Sequence, residues 1–225
     1  LDKRLASGLS TGSISALSFA DRLRLLPMDL FVSAVVTVIY PSLSEMWARK
    51  DKEGMGDTLL TGVRYALFIC IPAALGLSVL AKPIVRLTFE RGAFTSGATL
   101  ATASALSVYS FGITALALSR IIGVAFYSSQ DTWRPVAALN IGLDLVLVGP
   151  FGHVGLAFAN VLAAWAGALF GLVLYTKYIS KISVKELLQS ALRILGSSAA
   201  MALFAFLSAK YLGFFAGTGS LKKDL

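Results

Sequence analysis

The chain has 225 residues, of which 56% are hydrophobic and only 14% charged, with a formal net charge of +8. Soluble domains carry nearer one-quarter charged residues, so a water-soluble globule is excluded and segments solvated by lipid are implied. The Lys and Arg residues fall mostly between apolar runs and form no basic stripe with interleaved aromatics, which argues against a nucleic-acid partner and for membrane topology as their role.

Leu1-Asp2-Lys3-Arg4 leads into small and polar residues instead of the hydrophobic core of a signal peptide, and no initiator Met is present, so the chain reads as a fragment. Apolar runs predict six membrane spans, at 13–40, 62–80, 100–127, 135–148, 154–175 and 191–211, and hence an all-α polytopic bundle. Five approach the ~20 residues that cross ~30 Å of hydrocarbon. The fourth is short, reaching only about 21 Å at ~1.5 Å per residue. The fifth is rich in small residues (Ala157, Ala159, Ala163, Ala164, Ala166, Gly167, Ala168, Gly171), which lets helix backbones approach closely. No repeat or low-complexity linker divides the chain, and the tail after Tyr211 is too short and polar to span again.

Orientation follows from the short loops. Arg49, Lys50, Lys52, Arg134, Lys177, Lys181 and Lys185 flank the odd-numbered loops, against Lys82, Arg86 and Arg91 in the even ones. Basic residues favour the cytoplasm, so the odd loops are expected inside and both chain ends outside.

The first span holds Asp21, Arg22, Arg24 and Asp29. A central Arg or Asp costs at least ~2.5–3.5 kcal/mol on insertion scales, so such residues normally face a bundle interior or a watery cavity. Ser15, Ser18, Arg22, Asp29, Ser33 and Thr37 recur at helical spacing and form one polar stripe. Two readings of Arg22 stay open. It pairs with a carboxylate on another helix, since about 10 Å of rise separates it from Asp29, or its fork of donors waits for an anion such as phosphate.

Asn140 and Asp144 lie one turn apart on the fourth span, and Asn160 and Asp2 offer further oxygens. Such a set suits a hard cation or interhelical hydrogen bonds. Arg120 reads as a satisfied bundle residue. His153, in Gly149-Pro150-Phe151-Gly152-His153, reads as a turn residue, and the sequence offers no His/Cys metal set, Gly-rich phosphate loop or nucleophile motif, which argues against an enzyme.

Several runs together resemble a known family. These are Leu5-Ala6-Ser7-Gly8, Gly12-Ser13-Ile14-Ser15-Ala16-Leu17, Ala20-Asp21-Arg22-Leu23 with Leu26-Pro27, and Pro41-Ser42-Leu43-Ser44. Phe89-Glu90-Arg91-Gly92-Ala93-Phe94-Thr95, Ala125-Phe126-Tyr127 with Gln130-Asp131-Thr132, and Gly152-His153-Val154-Gly155-Leu156-Ala157 follow in order. As a set they resemble the MurJ (MviN) lipid II flippases of the multidrug/oligosaccharidyl-lipid/polysaccharide exporter superfamily, whose members have fourteen spans.

The resemblance implies the C-terminal half of such a protein. Residues 1–177 would run from the end of the seventh span through the twelfth, forming the second lobe, and 178–225 would supply an amphipathic loop, the thirteenth span and a polar tail. It implies a multi-pass protein of the bacterial cytoplasmic membrane that moves lipid-linked peptidoglycan precursor by alternating access, incompetent without its first lobe. Arg22 would bind the anionic lipid head group, with Ser18 and Asp29 beside it on the stripe. No cofactor is implied beyond a coupling sodium ion, held by Asp2, Asn140, Asp144, Asn160 and the carbonyl of Leu156. Three features depart from the family: Asn160 replaces a hydroxyl residue, Asp29 stands where a small uncharged residue is usual, and the fourth span is short. Two rival readings remain, a non-transporting or degenerate membrane fragment and an exporter of another lipid-linked glycan.

Overall fold

A computed structural model describes residues 13–129, 157–158 and 160–211. The described residues are helical apart from short turns, and five helices are long and apolar enough to cross a membrane. In chain order the elements are α1 (Ser13–Pro27), a π-turn (Met28–Val32), α2 (Ser33–Ala48), α3 (Lys52–Val79), α4 (Ala81–Phe89), α5 (Ser96–Ser128), α6 (Asn160–Tyr178) and α7 (Val184–Tyr211). The span predicted at 135–148 lies outside the described residues. The other five are present, mostly with longer helices than the apolar runs suggested.

Helix ends follow local chemistry. The Asp51 carboxylate accepts from the Gly54 N–H at 2.9 Å and starts α3, and Thr95 Oγ1 accepts from the Ala98 N–H at 3.3 Å and starts α5. Both satisfy amides that have no partner inside the helix. Lys50 takes a left-handed φ of 58° in the tight turn between α2 and α3. Pro27 has no N–H to give, and the chain answers with the π-turn, in which the Ser33 N–H donates to the Met28 carbonyl five residues back. α1, the π-turn and α2 nevertheless run on as one 35-residue span, Ile14–Ala48.

α5 is the hub of the bundle: α1, α3 and α4 all pack on it, and α3 also packs against α7. One core, with Val32, Leu43, Met55, Leu59, Ile113, Ile121 and Tyr175, joins α2, α3, α5 and α6. A smaller one, with Leu17, Leu23, Val85, Leu106 and Tyr109, joins α1, α4 and α5. Small residues let these helices close up. A Cβ on Gly112 would stand 3.0 Å from Val161 Cγ2, and one on Gly56 only 2.7 Å from the Lys181 carbonyl oxygen.

Two of the loops expected in the cytoplasm meet at one end. Ser180 Oγ donates to the Lys52 carbonyl at 2.5 Å and the Tyr175 hydroxyl to the Met55 carbonyl at 3.3 Å. The loop after α4 lies elsewhere, where Phe89 packs tilted against Phe19 of α1 at a centroid separation of 4.8 Å and Phe94 meets it edge-on at 5.4 Å. Large apolar side chains such as Phe68, Leu203 and Phe204 point outward, as the lipid-facing surface of a membrane bundle requires.

Candidate functional site

The polar stripe predicted on the first span is present as an open face. Arg22, Ser15, Asp29 and Thr37 are exposed and Ser18 and Ser33 half-buried. The opposite side of the same span buries Ala16, Leu17, Ala20, Leu23, Val32, Ile39 and Leu43 against the lobe. This division follows from helical spacing, because apolar residues at three- and four-residue intervals wind into one stripe and leave the remainder facing away.

Among the described residues Arg22 makes no ion pair. Its guanidinium is exposed on the open face. Asp29 lies on the same side, where Oδ1 stands 3.5 Å from Arg120 Nη1 of α5. Both of those side chains are well exposed, so the contact is a weak one. Thr37 Oγ1 donates to the Ser33 carbonyl at 2.9 Å, which occupies the hydroxyl proton but leaves its lone pairs outward.

Arg24, two residues from Arg22, has the opposite environment. It is 7% exposed, and each of its groups is engaged. Nε and Nη2 both lie 2.7 Å from Asp21 Oδ1, Nη1 donates to Asn160 Oδ1 of α6 at 3.1 Å, and Cζ sits 4.3 Å from the Tyr109 ring centroid of α5. A buried charge persists only where it is paired and hydrogen-bonded, and the ring's negative face adds attraction. The cluster ties α1 to both α5 and α6. In the sequence Arg24 is one more charge in the span, and the Asp21–Arg24 spacing of three is the signal available for its role.

The oxygen set suggested for sodium is placed only in part. Asn160 Oδ1 faces the Arg24 guanidinium, while Asp2, Asn140, Asp144 and Leu156 lie outside the described residues. Among those described, no group of three or more His, Cys, Asp or Glu side chains converges. An apolar crevice of about 470 Å³ between α3, α5, α6 and α7 is lined by Leu67, Phe111, Trp165, Leu172 and Leu188 among others. It offers no charge to a polar ligand and lies apart from Arg22.

Comparison with known proteins agrees with this architecture. The family described as Lipid II flippase MurJ matches residues 1–222. A probable lipid II flippase MurJ of Vibrio cholerae serotype O1 is 39% identical over 170 residues, covering 73% of this chain and 32% of the relative. One from Bdellovibrio bacteriovorus is 34% identical over 204 residues, covering 88% and 39% respectively. The chain thus spans little more than a third of these relatives. Among solved structures, a lipid II flippase MurJ in an inward closed conformation is similar with a TM-score of 0.75 at 27% identity, over 93% of this chain and 49% of that one. An outward-facing multidrug resistance MATE family transporter of the MOP superfamily matches with a TM-score of 0.63 at 20% identity, over 90% and 48%, a likeness of fold alone.

Proposed function

The chain belongs to the lipid II flippase MurJ family, and on that premise we propose that it forms the second lobe of a transporter. Its cargo is a peptidoglycan precursor linked to lipid through a diphosphate, lipid II or a close analogue, moved from the cytoplasmic to the outer leaflet of the bacterial cytoplasmic membrane. The observation that carries this reading is Arg22, exposed on a polar face of a membrane span and without an ion-pair partner among the described residues. A permanent charge at that depth is costly in lipid, so the face belongs against a wet cavity. A guanidinium there presents paired donors suited to phosphate oxygens, with Ser18 and Asp29 as polar neighbours able to meet the sugar or peptide portion.

A cavity of this kind needs a second wall. The first lobe of the same protein supplies it, and alternating access then proceeds as one lobe rocks against the other around the bound head group. Half of that machine cannot expose the site to each side in turn, so the chain is inactive without its counterpart.

Growth complementation by the full-length parent tests the reading. Arg22→Ala abolishes growth while the protein still accumulates in the membrane, and Arg22→Lys is impaired because a compact ammonium lacks the bidentate geometry. Normal growth of Arg22→Ala at normal protein levels rejects the site; loss of the protein from the membrane makes the arginine structural.

A further inference from the structure

The family resemblance implies a sodium ion with Asn160 among its ligands, and the geometry around Asn160 provides a test of fit. The residue has one carbonyl oxygen, and Arg24 Nη1 already donates to it at 3.1 Å. A hard cation at about 2.4 Å from the same oxygen would stand roughly 4–5 Å from the guanidinium. Two permanent positive charges at that distance repel strongly in a medium poorer in water than bulk. Among the described residues the carboxylate that meets Arg24 is Asp21, whose Oδ1 lies 2.7 Å from both Nε and Nη2, so its one negative charge is already matched by the guanidinium. As described, Asn160 does not fit a sodium ligand.

We propose that Arg24 is the resident cation of this site: its guanidinium gathers the oxygens of Asp21 and Asn160 and withholds Asn160 from any mobile cation. A bound ion joins helices reversibly, releasing them when it leaves. A side chain in the same position makes the connection permanent. Arg24 thus holds α1 to α6 across Tyr109 of α5 and fixes the rotation of α1 that turns Arg22 outward. It is a positioning residue, since its donors are directed into the lobe and away from the open face. The consequence for coupling rests on the transporter reading, but the ion chemistry does not.

Thermal unfolding of the detergent-solubilised full-length parent, in sodium chloride against choline chloride at equal ionic strength, separates the alternatives. The parent is expected to melt at the same temperature in both salts. Arg24→Leu frees the Asp21 and Asn160 oxygens and should gain a sodium-specific rise of roughly 2–4 °C, whereas Arg24→Lys keeps the internal charge and stays insensitive. If Arg24→Leu fails to accumulate, Arg24→Gln removes the charge while keeping a donor and carries the same test. The proposal is overturned if the parent shows a sodium-specific rise that Asn160→Leu abolishes, or if neither neutral variant gains one. A sodium response in the parent that survives Asn160→Leu would place the ion away from this oxygen and support the assignment. Because melting reads ion binding alone, its failure is distinct from failure of the Arg22 growth test.

Discussion

Removing Asp21 should cost more than removing Asp21 and Arg24 together. In the folded protein Arg24 has a side chain 9% exposed, while that of Asp21 is 42% exposed. Asp21→Ala deletes both 2.7 Å contacts and leaves a buried guanidinium with, among the described residues, Asn160 and the Tyr109 ring. Stripping one partner from a buried pair typically costs about 3–5 kcal/mol. The exposure of Asp21 opens a route for water to the stranded charge, which lowers the expectation to about 2–3 kcal/mol. Arg24→Leu instead removes the charge itself. It forfeits the charge-assisted Asn160 bond, worth about 1.5–3 kcal/mol, offsets part of that loss by burying an apolar side chain in place of a charge, and leaves a carboxylate that solvent already reaches. The double variant should therefore lose only about 1–2 kcal/mol, well short of the sum of the single losses. Reversible unfolding of the full-length parent and three variants in mixed micelles gives the coupling energy directly. If the losses add to within about 0.5 kcal/mol, Arg24 is hydrated and the buried cluster does not govern the stability of α1.

Three further outcomes rest on the packing and the topology. Gly56→Ala would bring a Cβ to 2.7 Å from the Lys181 carbonyl oxygen and 2.8 Å from Ser180 Oγ; forcing apart this seam should destabilise the bundle by about 1–3 kcal/mol. Gly196→Ala, with nothing within 4 Å, should be neutral or stabilising by up to about 1 kcal/mol, and a comparison of melting temperatures checks both. In a cysteine-free parent, cysteines placed at Asp51 and Lys181 should resist an impermeant reagent applied to intact cells, while one at Gly97 should react. Labelling of the first two from outside would invert the assigned orientation.

Apolar runs revealed the spans because hydrocarbon thickness dictates them, yet they misplaced several helix ends. The second run begins at 62 in the sequence, whereas α3 starts at Lys52. Its first ten residues interleave Lys52, Glu53 and Asp57 with the buried Met55, Leu59 and Leu60, and their start is set by the Asp51 cap, a local hydrogen bond that hydropathy does not register. α7 likewise starts at Val184 instead of 191, where Arg64 of α3 reaches Glu186 at 2.6 Å. The open stripe was legible because it depends only on helical phase. The fate of Arg24 was not, since its burial is supported by Asn160, 136 residues away in the chain, and by the Tyr109 ring of a third helix.

Arg22 and Arg24 show how one helix assigns different work to chemically identical groups. Two residues apart at about 100° each, they point to nearly opposite sides of α1. The side facing α5 and α6 supplies Asn160 and Tyr109, and Asp21 completes the cluster, so that Arg24 is spent within the lobe. Such an arginine contributes to shape and has little left for a ligand. The side facing away supplies Arg22 with no ion pair among the described residues, so its charge is available to whatever anion enters from the open face. On the transporter reading proposed above, selectivity for a diphosphate would depend on a division made by the buried cluster: rotate α1 by loosening Arg24, and Arg22 would turn toward α5 and lose its aim. On that reading the residue proposed to bind and the residue that points it are separable, and a variant at Arg24 should weaken the use of cargo while leaving every donor of Arg22 chemically intact.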